Sequence, residues 1–238
     1  MACDLILVLD APSPRDVTPT LKRLSGTVRW VKIGLEMFTA SGPDCVREIA
    51  GLGFNVFLDL KLHDIPNTVA GGLRAVVELA PTYITIHASG GRAMMKAAIK
   101  EVAEQAAKHN VPRPKLLGVT VLTSLDRADL EATGVNADPS DQVLRLAALA
   151  HESGLDGVIC SPLEIAALRK QCGPDFVLMV PGIRPVGSAA NDQKRAMTPR
   201  QAIDLGASHL VVGRPIYQAS DPRAAAEAIA REAGVNDL

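Results

Sequence analysis

Short apolar runs recur along this chain with helical patterns between them, and that alternation limits the fold more than any other feature. The runs cover residues 5–9, 30–35, 57–63, 83–87, 116–122, 157–160, 176–180 and 209–212. Between them, helical spacing is expected over 16–24, 41–53, 67–80, 91–109, 139–152 and 221–233. Residues 91–109 are the clearest case, with apolar residues at 94, 95, 98, 99, 102, 103, 106 and 107. Helix starts have their own marks: Ser161-Pro162-Leu163-Glu164 reads as a capping box, and Thr198-Pro199 opens a further helix. Strands alternating with helices form parallel sheets covered on both faces. Eight of them in 238 residues, with no linker, low-complexity tract or charge run, predict a single (β/α)8 TIM barrel occupying residues 1–238 as one domain. A doubly wound open sheet would want a glycine-rich phosphate turn after the first strand, where DAPSPRD stands instead.

Composition narrows the partners. The formal net charge is -1 and aromatic residues make up 3%, which leaves neither the positive field nor the stacking surfaces that nucleic acid requires, and nothing to attract an anionic membrane. Cys3, Cys45, Cys160 and Cys172 are scattered without CxxC spacing, so neither a zinc site nor a redox pair is expected. Cys160, inside an apolar run, reads as a small core residue. The opening MACDLILVLD has no basic segment, and no apolar stretch is long enough to cross a bilayer. The expectation is a soluble cytoplasmic protein with reduced thiols.

Residues 55–69, NVFLDLKLHDIPNTV, carry the densest chemistry. Leu58, Leu60 and Leu62 fall on one face of an extended chain, and Asp59, Lys61 and His63 on the other. On a solvated edge strand this would be a plain ion pair. In a strand whose leucines pack under helices, Asp59 and Lys61 project into an enclosed interior, where charges are costly unless paired and usually serve a site. Asp64 adds a carboxylate, and Ile65-Pro66-Asn67-Thr68 stops the strand and offers a helix cap. Other polar residues stand at strand ends: Asp10, alternatively a cap for the next helix; Lys32, alternatively a stem packed on the core with its ammonium in water; Thr123, Arg184 and Arg214. Together with Asp59 and Lys61 they come from six strands, and a ring of polar residues at the carboxyl ends marks the active face of such a barrel. His87 closes a strand as a ligand, an acid or a structural residue. Gly182-Ile183-Arg184 and Gly213-Arg214, after the seventh and eighth strands, suit a phosphate. The polar loop 186–194 has the length of a functional one.

DLKLHDIPNT (59–68), LD (9–10), VKIG (31–34), VTVLTS (119–124), PGIRP (181–185), DQKRAMTP (192–199) and VVGRPI (211–216) together closely resemble the bacterial type of orotidine 5'-monophosphate decarboxylase, in the family's order over nearly the whole chain. The DxKxxD core also occurs in sugar-phosphate relatives of the superfamily; IPNT, PGIRP and DQKR favour the nucleotide enzyme. The resemblance implies a carboxy-lyase of pyrimidine biosynthesis that turns orotidine 5'-monophosphate into uridine 5'-monophosphate with no metal or organic cofactor. It assigns Lys61 as proton donor and sets Asp59 against the departing carboxylate. Lys32 and Asp64 would complete the charge network, Asp64 reaching in from the partner subunit of a homodimer. It further implies that Asp10 holds ribose hydroxyls, Thr68 and Thr123 lie among the substrate contacts, and Arg184, Gln193, Gly213 and Arg214 take the phosphate. One departure is Asn191, where the family more often has an acidic residue. The rivals are a metal-dependent sugar-phosphate decarboxylase or aldolase on the same barrel and a non-catalytic barrel that binds a phosphate ligand.

Overall fold

The computed structural model of the chain describes residues 3–185 and 197–234. Among these, eight strands run β1 (Asp4–Leu9), β2 (Trp30–Ile33), β3 (Asn55–Leu62), β4 (Tyr83–His87), β5 (Lys115–Val119), β6 (Gly157–Ile159), β7 (Val177–Val180) and β8 (His209–Val212). All pair in parallel in the order β1 to β8, and β8 closes back on β1. The helices are α1 (Pro14–Leu24), α2 (Leu35–Ser41), α3 (Asp44–Gly51), α4 (Pro66–Val77), α5 (Gly91–His109), α6 (Arg127–Ala132), α7 (Pro139–Ser153), α8 (Ile165–Cys172), α9 (Pro199–Asp204), α10 (Arg214–Tyr217) and α11 (Pro222–Ala233). The expected barrel is therefore the observed one.

Strand parity separates two cores. Ile6, Phe57, Tyr83, Leu117, Val177, Met179 and Val211 fill the barrel interior. Their sequence neighbours Leu5, Leu7, Leu58, Leu116, Leu178 and Leu210 point outward into the larger core under the helices. The amino-terminal end of the barrel is plugged by first residues of strands: the Tyr83 hydroxyl and His209 Nε2 share a hydrogen bond of 2.8 Å, Trp30 packs on both rings, and Asp4 lies 3.5 Å from His209 Nδ1. That plug leaves the carboxyl end as the open mouth.

Several local expectations shift. The run 30–35 ends as a strand at Ile33, and Leu35 begins α2, a short helix that was not expected; the helix expected over 41–53 is observed as α3, set off from α2 at Gly42-Pro43. The run 116–122 leaves the sheet after Val119. On α5, Glu101 and Gln105 are buried where Ala103 and Ala107 were expected, because Arg74 of α4 grips Glu101 at 2.7 Å and Gln105 bonds the same carboxylate. At the expected Ser161/Glu164 box the Ser161 N–H donates to Glu164 Oε2 at 2.6 Å, and Thr198 caps α9 just before Pro199, as the Thr198-Pro199 start requires, in a box with Gln201. Asp10 does not cap α1; Ser13 does, its hydroxyl accepting the Arg15 N–H at 3.2 Å. Nor does Asn67 or Thr68 cap α4, which starts at Pro66 after an uncapped Ile65.

Candidate active site

Seven of the eight strands, all but β4, bring residues at or beyond their carboxyl ends to a cavity of about 270 Å³ at the mouth. Asp10, Lys32, Asp59, Lys61, Thr123 and Arg184 all line it, as do Gly213 and Arg214. Lys32, Asp59 and Lys61 arrive from β2 and β3, the arginines and Gly213 from beyond β7 and β8, with Asp10, just past β1, between the two groups in the ring. Residues spread over two hundred positions of sequence thus meet because the sheet closes on itself.

Asp59 is the centre of the charge network. Its side chain is nearly buried, Lys61 Nζ donates to Oδ2 at 2.6 Å, and Lys32 Nζ sits 3.2 Å from the same oxygen. Oδ1 accepts the Thr85 hydroxyl at 2.9 Å. Burial alone would push this carboxyl up; the Lys32 and Lys61 charges, with the hydrogen bonds from Lys61 and Thr85, outweigh it and hold it below the usual carboxylate range. One carboxylate thus holds two ammonium groups side by side at the cavity wall.

The alternation predicted over 57–63 holds in orientation but not in pairing. Leu58 and Leu60 pack outward and Asp59 and Lys61 face the cavity, yet the ladder to β4 jumps from Leu58 opposite Ile84 to Leu62 opposite Ile86. Within this bulge Lys61 takes a left-handed backbone with φ 49°, a conformation that costs a lysine on the order of 1–3 kcal/mol and persists only where its surroundings enforce it. His63 leaves the inward row and is exposed at the rim, stacked on His87 with ring centroids 5.0 Å apart. Burial, then the nearby His63 and Lys61 charges, lower the His87 pKa, so it is a neutral packing partner at physiological pH.

Other predicted residues stand apart from the cavity. Asp64 is exposed, its carboxylate accepting the Ile65 N–H at 2.6 Å, and Thr68 is exposed in the first turn of α4; neither lines the cavity. Gln193, Asn191 and the loop 186–194 lie outside the described residues. Behind Arg184, Ile183 bridges Met197 and the Arg184 N–H donates to the Met197 carbonyl at 2.9 Å, which anchors the turn after β7. Gly213 lets the turn after β8 close against β1, since a Cβ there would stand 3.2 Å from the Val8 Cβ.

Two features escaped the sequence reading. Val119, Ile159, Cys160 and Met179 form an apolar wall across from the charged residues, suited to the face of a flat ring. Burial pushes the Cys160 thiol well up, so it serves as wall and not as nucleophile. The other is Thr85, whose position on β4 has the inward parity of Tyr83 and was the one available signal. Among the described residues, no group of three or more His, Cys, Asp or Glu side chains is arranged to hold a metal, and Asp59 already spends both oxygens on ammonium and hydroxyl donors. No helix among them is long and apolar enough to cross a membrane.

Comparison with known proteins agrees with this geometry. The family model described as "Orotidine 5'-phosphate decarboxylase / HUMPS family" matches residues 4–229. Orotidine 5'-phosphate decarboxylase of Opitutus terrae is 59% identical over 232 residues, 98% of this chain and 99% of that protein. The enzyme of the same name from Moorella thermoacetica is 52% identical over 229 residues, 96% of this chain and 91% of its own length. The crystal structure of orotidine 5'-phosphate decarboxylase from Lactobacillus acidophilus superposes with a TM-score of 0.85 at 40% identity, covering 97% of this chain and 99% of that one. A closed parallel barrel, a lysine-aspartate network at its mouth and relatives matched over nearly full length lead to one conclusion: this chain belongs to the orotidine 5'-phosphate decarboxylase / HUMPS family.

Proposed function

We infer that this protein decarboxylates orotidine 5'-monophosphate to uridine 5'-monophosphate in pyrimidine biosynthesis. The observation that carries the inference is the pair of ammonium groups, Lys32 and Lys61, held on one buried carboxylate at the wall of a cavity that also contains Arg184 and Arg214. Losing carbon dioxide from an sp2 ring carbon leaves a localised electron pair, and the pyrimidine ring offers no sink for it. Stabilisation has to come from preorganised positive charge beside that carbon.

The assignment of roles follows from this need. Lys61 gives its proton to the carbon as the bond to the carboxylate breaks, the electron pair left behind forming the new C–H bond, and solvent reprotonates the amine. Asp59 holds Lys61 and Lys32 in place and confronts the substrate carboxylate with like charge. The apolar wall takes the ring face, with Thr123 at its edge, and Asp10 takes ribose hydroxyls. Arg184, Gly213 and Arg214, with Gln193, take the phosphate, whose binding energy aligns the reacting end. The chain works as one barrel domain in the cytosol, in keeping with its four buried thiols. The metal-dependent alternative would need the Asp59 oxygens free for an ion, and the two lysines favour the metal-free route.

We further propose that the active form is a homodimer in which Asp64 and Thr68 complete the partner's site. Asp64 faces solvent two residues past the end of β3, and exposed apolar side chains follow β3 and β2 at Ile65 and Leu35. Mixing Lys61→Ala with Asp64→Ala subunits tests this: each alone is inactive, and hybrids regain one intact site, whereas an Asp64 acting within its own chain gives no recovery.

Loss of ultraviolet absorbance on adding orotidine 5'-monophosphate tests the function. Turnover is expected with and without a chelator and is expected to disappear in Lys61→Ala. Chelator-sensitive turnover, or turnover untouched by that substitution, would overturn the mechanism.

A further inference from the structure

We propose that Thr85 is a positioning residue for the decarboxylation, its single hydroxyl fixing the Asp59 carboxylate and the Lys61 backbone together and so setting the aim of the Lys61 ammonium. This rests on Lys61 being the proton donor.

The need for such a residue arises in the backbone. At the bulge in β3, Asp59, Leu60 and Lys61 stand opposite Thr85 alone, so the regular ladder cannot serve every N–H there. The Lys61 N–H finds the Thr85 Oγ1 at 2.8 Å instead. That bond spans the turn where Lys61 adopts its left-handed φ of 49°, the departure that carries its side chain along the cavity wall. A lysine keeps such a conformation only when something outside it holds the backbone.

The same oxygen then settles the carboxylate. A hydroxyl has one proton to donate, and because Oγ1 accepts from the Lys61 N–H, that proton goes to Asp59 Oδ1 at 2.9 Å. Oδ1 is thereby turned toward β4, and Oδ2 is presented to Lys61 at 2.6 Å and Lys32 at 3.2 Å. Thr85 is fully buried and does not line the cavity, so it touches no substrate and acts only through these two residues. A buried hydroxyl without partners would be costly at this position; here it has two, both in the catalytic strand.

The test compares Thr85→Val, which keeps the shape and removes the hydroxyl, with Thr85→Ser, which keeps the hydroxyl. Thr85→Val is expected to lower kcat about tenfold to a hundredfold, the effect of losing one or two buried hydrogen bonds, with little change in KM. Thr85→Ser is expected to recover most of that loss. A pH profile adds a readout that packing alone would not move. Asp59 is faced by Lys61 on its own strand, Lys32 on β2, and Thr85 and His87 on β4; removing the hydroxyl takes away one of the contacts that hold the carboxyl low. The acid limb of kcat should therefore move to higher pH in Thr85→Val. If the valine variant does not fold, Thr85→Ala against Thr85→Ser makes the same comparison. An unchanged kcat in the hydroxyl-free variant, a serine variant as slow as valine, or a rise in KM at constant kcat would overturn the role. Full turnover by Lys61→Ala, measured alongside, would overturn the functional assignment beneath it and is recognisable as a separate failure.

Discussion

Replacing Asp59 by asparagine keeps the shape of the side chain and removes the charge on which two ammonium groups rest. At an effective dielectric of about 20, Coulomb attraction over 2.6 Å to Lys61 and 3.2 Å to Lys32 amounts to about 6 and about 5 kcal/mol. Most of this is offset by the desolvation that brought the three charges together. Lys61 remains about a third exposed and can turn its ammonium to water, whereas Lys32, at 14% exposure, has less room to do so. Breaking a buried pair by removing one partner costs about 3–5 kcal/mol, and with one lysine able to escape we expect about 3 kcal/mol for Asp59→Asn. The assay is urea unfolding at neutral pH, where the midpoint should fall with an unchanged slope. If the displaced lysines are equally misplaced in the transition state, the same 3 kcal/mol lowers turnover by about a hundredfold or more. A variant with wild-type midpoint and wild-type turnover would refute the reasoning, because the lysines would then be held by something other than this carboxylate.

Two further outcomes follow from the fold. Gly157→Ala should cost about 3 kcal/mol or more and lower the thermal midpoint sharply, since the new Cβ would lie 2.2 Å from the Val177 carbonyl oxygen and force β6 from β7; a midpoint within a degree or two of wild type would contradict the close pairing. Burial lowers the His209 pKa to about 4, with Asp4 opposing and Lys115 adding to the shift; the unfolded chain binds the proton near 6.5, so stability is full above that pH and declines as pH falls toward 4, by up to about 3 kcal/mol. Urea midpoints across this window check it, and His209→Gln should flatten the slope; a slope unaltered in that variant would place the acid sensitivity elsewhere.

Much of this was legible along the chain because it depends on neighbours in sequence. Alternation of strand-like runs with helical spacing is a local property, and it predicted all eight strands of the barrel. The inward parity of Asp59 and Lys61 follows from the two-residue repeat of an extended chain, the turn at Ser161 from a serine and a glutamate three residues apart, and the start of α9 from the Thr198-Pro199 pair. Short helices were harder: α2, α6 and α10 have too few turns to display a period, and the apolar character of Leu35 or Leu122 is equally that of a strand or an exposed rim. What only the folded chain decided is which residues meet. Closure of β8 on β1 brought Arg214 and Asp10 to the cavity that Lys32 and Lys61 share, and packing of β3 on β4 opened the bulge that gives Lys61 its backbone and Thr85 its two partners. Contacts of this kind join residues far apart in sequence and are made only when loop closure and burial are satisfied together, so their geometry is a property of the whole barrel and not of any stretch within it.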